Sequence, residues 1–498
     1  MNVYSLRPYQ EEGKKQISSL FSKNYNKVLF CSPTGSGKTV TFADMAREAV
    51  INGFTVMIVV DRKELLNQAQ SKLISYGLNP SLITAGKTGR SGSKAYIATV
   101  QTLARRTPPP VDFIIIDEAH KQIFDKILKL EAYKNAYVIG ATATPCRTGK
   151  MGQLSDVYEQ MVETVTIQDL IQDGFLVPAI TYGAKLDTSK IKVKGQDFDA
   201  EDMYKAFDKK TLYAGVVQKY QKFAPGTKAV CFNINVKHSL KVTEAFNAAG
   251  ISAVHLDGNT PKAEREGILH AFSKGLFKVL NNVDVLTTGY DEWTIETVIV
   301  NRATKSLSLW LQMPGRGSRI TPKEYKRKPG YLQKEHFNLI DMGGNVFTLG
   351  FWEAERNYSL THKTKTTVDA APVKTCPEDK EDLNKRLGCG AIVNASARNC
   401  KHCCYIFPLP VKKEAEEVDF IQLENYDFLP PELVGKSWGS MGLSELEKVR
   451  KIKGYKLGWI AKQILMNKDL NLIDYANFRG FKNPTAWEQR MNKYYLRP

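Results

Sequence analysis

Short apolar runs separated by amphipathic stretches mark the first third of the chain, at 28–30, 55–60, 95–99, 113–116 and 136–140. Such continuous apolarity suits strands covered on both faces, as in a parallel sheet flanked by helices. The same alternation returns at 228–232, 252–256, 278–283, 297–300 and 337–340. Two α/β units of one type are therefore predicted in tandem, over 1–176 and 177–358. Residues 182–223 are polar and lysine-rich, and are expected to pack partly on the second unit. Beyond about residue 358 the pattern breaks into a polar linker (359–375), a cysteine-rich module (376–410) and a basic helical region (411–498). The last carries an internal echo: Lys453-Gly454-Tyr455-Lys456 with Trp459, then Arg479-Gly480-Phe481-Lys482 with Trp487.

Composition sharpens this outline in two places. Among 498 residues, 70 Lys and Arg stand against 52 Asp and Glu, a net charge of +18. A balance of that sign attracts polyanions, of which phosphate backbones are the commonest. Five of the eight cysteines lie between Cys376 and Cys404, a clustering that reads as metal binding rather than a disulfide framework. No apolar run is long enough to span a bilayer, and the N-terminal residues lack a signal-peptide layout. A cytoplasmic location is expected.

Two motifs carry chemistry. Ser32-Pro33-Thr34-Gly35-Ser36-Gly37-Lys38-Thr39 follows the predicted strand 28–30 and precedes a helical run. In that context glycines let backbone N–H groups curl around a phosphate at a helix N-terminus. Lys38 is placed to reach the β and γ phosphates of a nucleotide, and Thr39 to offer its hydroxyl to Mg²⁺; Ser32 stands where the general pattern has glycine. Downstream, an apolar strand ends in Asp117-Glu118. Asp117, at the carboxyl edge of a parallel sheet, can hold Mg²⁺. Glu118 can polarise an attacking water, a division that suits phosphoryl transfer.

Asp117-Glu118-Ala119-His120 resembles the signature of DEAH-type superfamily 2 helicases, and Ala141-Thr142-Ala143-Thr144-Pro145 resembles their coupling motif. The resemblance covers about 6–350 and implies two RecA-like domains; its details are similar to the group of restriction-enzyme motors and branch-migrating repair or phage helicases. It implies that Arg7 and Gln10 of Arg7-Pro8-Tyr9-Gln10 contact the adenine of ATP. It implies coupling roles for His120, Thr142 and Thr144. Gln312-Met313-Pro314-Gly315-Arg316-Gly317-Ser318-Arg319 resembles the arginine-finger motif, with Arg316 and Arg319 expected one turn apart on a helix face and joining Gln312 in catalysis. The resemblance also implies that Asp291 faces the nucleotide or the arginines, and that Thr288 and Gly289 approach a phosphate. Nucleic-acid contacts are implied for Arg62, Thr99, Gln101, Thr102, Asn233, His255, Gly258, Thr288, Thr304 and Ser306.

Cys376, Cys389, Cys400 and Cys403 can supply four thiolates to a tetrahedral Zn²⁺, with Cys400 and Cys403 forming a C-x₂-C knuckle. The wider spacing from Cys376 to Cys389 leaves His402 or Cys404 as substitutes for Cys376. The module is expected to fold on its metal, apart from the two α/β units. In the tail, Tyr455, Trp459, Phe481 and Trp487 among basic residues either stack on unpaired bases or form a small core. Together these features predict an ATP-dependent DNA helicase or translocase that remodels forked or branched DNA. The alternatives are an RNA helicase, or the motor subunit of a restriction or nuclease assembly. Replication or repair proteins are candidate partners of the C-terminal region.

Overall fold

The computed structural model describes residues 5–147, 152–183, 185–195, 197–207, 210–286, 290–328, 332–361, 372–408, 431–433, 436–452, 455, 457–467, 469–481 and 483–495. Residues 1–409 form one compact unit and 410–498 another. No described helix is long and apolar enough to cross a membrane.

The first unit holds the two predicted α/β lobes. In the first lobe the sheet runs Lys87–Thr88, Ser81–Thr84, Ala95–Thr99, Val56–Val60, Phe113–Ile116, Tyr137–Thr142, Lys27–Cys31, Gln160–Glu163. All pairings are parallel except that of the first two strands. Every residue of Val56–Val60 is buried, which is why this strand reads as an unbroken apolar run. In the second lobe, Ala253–Leu256, Val279–Asn282, Ala229–Asn233, Thr297–Asn301, Phe337–Asp341 and Ala179–Gly183 pair in parallel throughout. The polar stretch 182–223 therefore begins inside an edge strand of this sheet. It ends in the helix Lys210–Phe223, where Phe223 stacks on Tyr182 at 4.1 Å between centroids.

The cysteine module belongs to this unit as well. Its strand Ile392–Asn394 pairs with Val373–Thr375. Ile392 is buried in the second lobe's core with Trp310, Leu339 and Trp352. The module is thus welded to the second lobe rather than appended to it, which corrects the expectation of an independent fold.

The second unit packs the helices Leu443–Ile452, Leu457–Met466, Leu472–Phe478 and Pro484–Tyr495 around Leu446, Val449, Ile460, Ile464, Leu472 and Tyr475. Glu447 is buried at its centre and accepts hydrogen bonds from Arg450 (2.7 and 2.8 Å) and the Tyr475 hydroxyl (2.6 Å). Arg479 pairs with the same carboxylate. Burial opposes the charge, but these donors and the two guanidinium groups hold Glu447 down at about 2.

Candidate nucleotide and nucleic-acid site

The strand Lys27–Cys31 delivers the chain into the 32–37 loop, and the helix Lys38–Ile51 starts immediately after it. Gly35 and Gly37 adopt φ of 93° and 83°, left-handed conformations that glycine enters without a Cβ penalty. Ser32, in the position where glycine is usual, donates its hydroxyl to Ser36 Oγ at 2.6 Å, and Ser36 donates to the Pro33 carbonyl at 2.7 Å. The serines thus tie the loop across its own mouth. Lys38 Nζ donates to the Ser32 and Pro33 carbonyls at 3.0 and 3.3 Å. The loop is braced from behind by Gln10 Nε2 and the Tyr9 hydroxyl, both donating to the Ser36 carbonyl at 2.9 and 2.7 Å. Arg7 reaches the Tyr9 hydroxyl at 2.9 Å and lies 4.0 Å over the Phe175 ring.

Asp117 and Glu118 follow the strand Phe113–Ile116, with Glu118 at φ 54°. A non-glycine residue held there costs about 1–3 kcal/mol, a strain that collects at functional sites. Thr39 and Asp117 border one small, mostly apolar cavity. Burial and the Glu118 carboxylate push the Asp117 acid above its usual range, while Lys38 pulls the other way. Glu118 Oε2 is buried 3.5 Å from His120 Nδ1 and accepts no hydrogen bond, which leaves it able to accept one from a water. His120 Nδ1 lies 2.8 Å from Thr142 Oγ1, which in turn accepts from Thr144 N–H at 3.0 Å. Burial, Lys121 and Arg147 hold His120 down at about 3, so its imidazole stays neutral.

The second lobe completes the pocket. Gln312 Nε2 lies 3.4 Å from Glu118 Oε1, and Ser308 Oγ lies 3.5 Å from His120 Nε2. The helix Leu307–Gln312 gives way to a 3₁₀ turn, Pro314–Arg316, because proline offers no N–H to continue it. Arg316 and Arg319 therefore do not share a helix face as expected. Instead, Arg316 donates to the Tyr290 carbonyl, and Arg319 Nε pairs with Asp291 at 2.7 Å. Burial and Arg319 lower Arg316 to about 10. A Cβ placed on Gly35 would stand 2.9 Å from Arg319 Nη1, and one placed on Gly315 would stand 2.9 Å from Thr34 Cγ2. Both contacts join the arginine turn directly to the phosphate loop.

The candidate nucleic-acid residues divide. Arg62 and Gly258, with Lys262 and Arg265, line a cleft of about 580 Å³. Thr99 and Thr102 share a hydrogen bond of 2.8 Å, and Gln101 donates to the Asp61 carbonyl at 2.9 Å. Asn233 is buried and donates to Ser239 and Asn281, and Ser239 also meets His255 at 2.7 Å. Thr304 is buried against Asp197 at 2.8 Å, and Ser306 caps the helix Leu307–Gln312. Asp197, which sequence reading passed over, also receives Lys305 N–H and Arg302. Only its distance from Thr304 in the chain hid it. Thr288 and Gly289 lie outside the described residues.

Cys376, Cys389, Cys400 and Cys403 bring their sulfurs within 4.8 Å of one another. The Cys376–Cys403 and Cys389–Cys400 separations are both 3.7 Å. Zinc–sulfur bonds of about 2.3 Å in a tetrahedron set a sulfur–sulfur edge of about 3.8 Å, so the donor set fits zinc. Neither His402 nor the exposed Cys404 belongs to the cluster.

Comparison with known proteins agrees with this arrangement. Residues 3–147 match the family described as type III restriction enzyme, res subunit, and 212–321 match the helicase conserved C-terminal domain. A 51.5 kDa protein of a Lactococcus phage is 30% identical over 391 residues, covering 77% of this chain and 79% of the phage protein. The ATP-dependent helicase IRC3 of Saccharomyces cerevisiae is 28% identical over 367 residues, 68% of this chain; the chain spans about half (51%) of its length. The fold is shared with an HsdR subunit fragment of a type I restriction enzyme from Vibrio vulnificus (TM-score 0.53, 22% identity, 69% of this chain and 67% of that one).

Proposed function

The chain belongs to the superfamily 2 helicases and is a nucleic-acid-dependent ATPase; on that premise we propose that it is a motor that tracks along DNA and remodels forked or branched duplexes. The observation that carries this reading is the seam between the lobes, so close that a Cβ on Gly35 would meet Arg319 and one on Gly315 would meet Thr34, each at 2.9 Å. One triphosphate is clasped there from both lobes. Lys38 leaves the Ser32 and Pro33 carbonyls for the β and γ phosphates, while the loop amides wrap the chain of phosphates. Thr39 and Asp117 would hold Mg²⁺, which would supply charge neutralisation at the phosphate oxygens when bound. Glu118 orients the attacking water and receives its proton. Arg316 and Arg319 meet the charge that spreads over the transferred phosphoryl group.

Movement requires that nucleotide favour one arrangement of the lobes over another. His120 supports that coupling, because it touches Thr142 on its own lobe and Ser308 on the other. The cleft bearing Arg62, Gly258 and Arg265 is the place for a phosphate backbone. Zinc held by the four cysteines supplies structure, not catalysis.

ATP hydrolysis measured with single-stranded DNA, forked DNA and RNA at fixed salt tests the reading. Forked DNA should stimulate most and be unwound or remodelled. Preferential stimulation by RNA would replace DNA as the track. The match of 3–147 to a restriction subunit favours a second reading, the motor of a restriction assembly, which co-purification of a nuclease would support.

A further inference from the structure

The two halves of the C-terminal unit repeat one local design. Lys453-Gly454-Tyr455-Lys456 separates Leu443–Ile452 from Leu457–Met466, and Arg479-Gly480-Phe481-Lys482 separates Leu472–Phe478 from Pro484–Tyr495. In both, the aromatic residue's N–H donates five residues back, from Tyr455 to the Arg450 carbonyl (2.9 Å) and from Phe481 to the Ala476 carbonyl (3.0 Å). That is the hydrogen bond by which a chain turns out of a helix end, and at the second copy Gly480 makes the turn with φ 67°. The aromatic position of the sequence echo thus makes the same backbone hydrogen bond in both copies.

The copies diverge in what their rings do. In the second, Phe481 packs on Trp487, and Trp487 packs on Tyr475, which is fully buried beside Glu447. Folding alone accounts for those rings. In the first, Tyr455 lies 4.6 Å from Trp459, and Trp438 meets the same indole edge-on at 5.6 Å. Tyr455 and Trp438 each remain 38% exposed, so the outer two rings of this trio face solvent. Between 448 and 462 the chain has six Lys and Arg and no Asp or Glu. Arg450 is committed to Glu447, while Lys448, Lys451 and Lys462 are exposed. Lys462 lies one turn beyond Trp459, on the same helix face.

We propose that the Trp438–Tyr455–Trp459 cluster and its surrounding lysines form a binding site for single-stranded nucleic acid, the lysines holding phosphates while bases stack on the exposed rings. Exposed lysines outnumber the acids here, since the Glu445 carboxylate near Trp438 is already paired with Lys436; that balance favours a polyanion, and partly exposed aromatic rings favour one whose bases are unpaired. A paired duplex hides the faces of its bases. The site rests on the motor reading above, and it would hold the strand that the two lobes release.

The test uses the full chain and fluorescein-labelled oligo(dT), with blunt duplex as the comparison. Trp438→Ala and Tyr455→Ala should each weaken oligo(dT) binding by about tenfold, Tyr455→Phe should restore it, and duplex binding and hydrolysis without nucleic acid should be unchanged. Lys451→Gln with Lys462→Gln, which leaves the core untouched, should flatten the salt dependence of oligo(dT) binding. Undiminished oligo(dT) affinity in the folded alanine variants, or an equal loss for duplex, overturns the site. If DNA stimulates wild-type hydrolysis in the same experiment, the motor reading survives that result. A wild-type chain that ignores every nucleic acid sinks both.

Discussion

Replacing Gly315 by alanine probes the seam between the lobes. The new Cβ would stand 2.9 Å from Thr34 Cγ2 and 3.2 Å from Thr34 Cβ, against an optimum of about 3.5–4.0 Å between carbons. Gly315 sits in a buried turn and Thr34 in the braced phosphate loop, so neither side yields freely. Overpacking of this kind costs about 1–3 kcal/mol, and here the cost falls only on the arrangement in which the lobes meet. At about 1.4 kcal/mol per tenfold, kcat/KM for ATP should fall by about 5- to 150-fold while the protein stays folded. Thr34→Ser removes one of the two clashing atoms, and its hydroxyl at 4.0 Å is harmless. The double variant should therefore recover most of the loss. Steady-state hydrolysis across all four members of this cycle, with melting curves as the folding control, gives the coupling. An identical defect with and without the Thr34 methyl would refute the inter-lobe contact.

Two further outcomes follow from the packing. Chelating the zinc proposed at the four cysteines should speed hydrogen exchange in Ala179–Gly183 as well as around the cysteines, because Ile392 shares the second lobe's core; Lys27–Cys31 should keep its protection. Exchange confined to 376–408 would argue against that shared core. In the C-terminal unit, Glu447→Ala strands two guanidinium groups and should destabilise the helices by about 3–5 kcal/mol. Glu447 sits at about 2 when folded against about 4.3 unfolded, so its contribution is complete above about 4.3 and disappears as pH falls towards 2. Melting of this unit should lose less stability across that window in Glu447→Gln than in the wild type, and equal losses would count against the assignment.

The strands that sequence made legible are those buried on both faces, such as Val56–Val60 and Phe113–Ile116. Edge strands escaped. Gln160–Glu163 and Ala179–Gly183 bury fewer positions, and their mixed residues carry no clean period. The phosphate loop and the carboxylate pair were legible because their chemistry is local, with spacing that the backbone enforces. What stayed hidden is tertiary. The clash-limited approach of Gly315 to Thr34 joins residues far apart in the chain, as does the bond from Thr304 to Asp197. The spacing of three between Arg316 and Arg319 suggests one helix face, but Pro314 starts a 3₁₀ turn there instead. The weld between the cysteine module and the second lobe runs through Ile392 and Val373, which no spacing rule singles out.

Whether the two lobes hold one nucleotide jointly, as proposed, is measured most directly by Arg316→Ala. Hydrolysis with saturating nucleic acid should fall by about 10³–10⁵-fold in kcat, while ATP binding, followed with a fluorescent analogue, stays within a few-fold of wild type because Lys38 and the loop amides remain. Turnover close to wild type in that variant would mean that the arginine turn never reaches the phosphates, and that hydrolysis belongs to the first lobe alone.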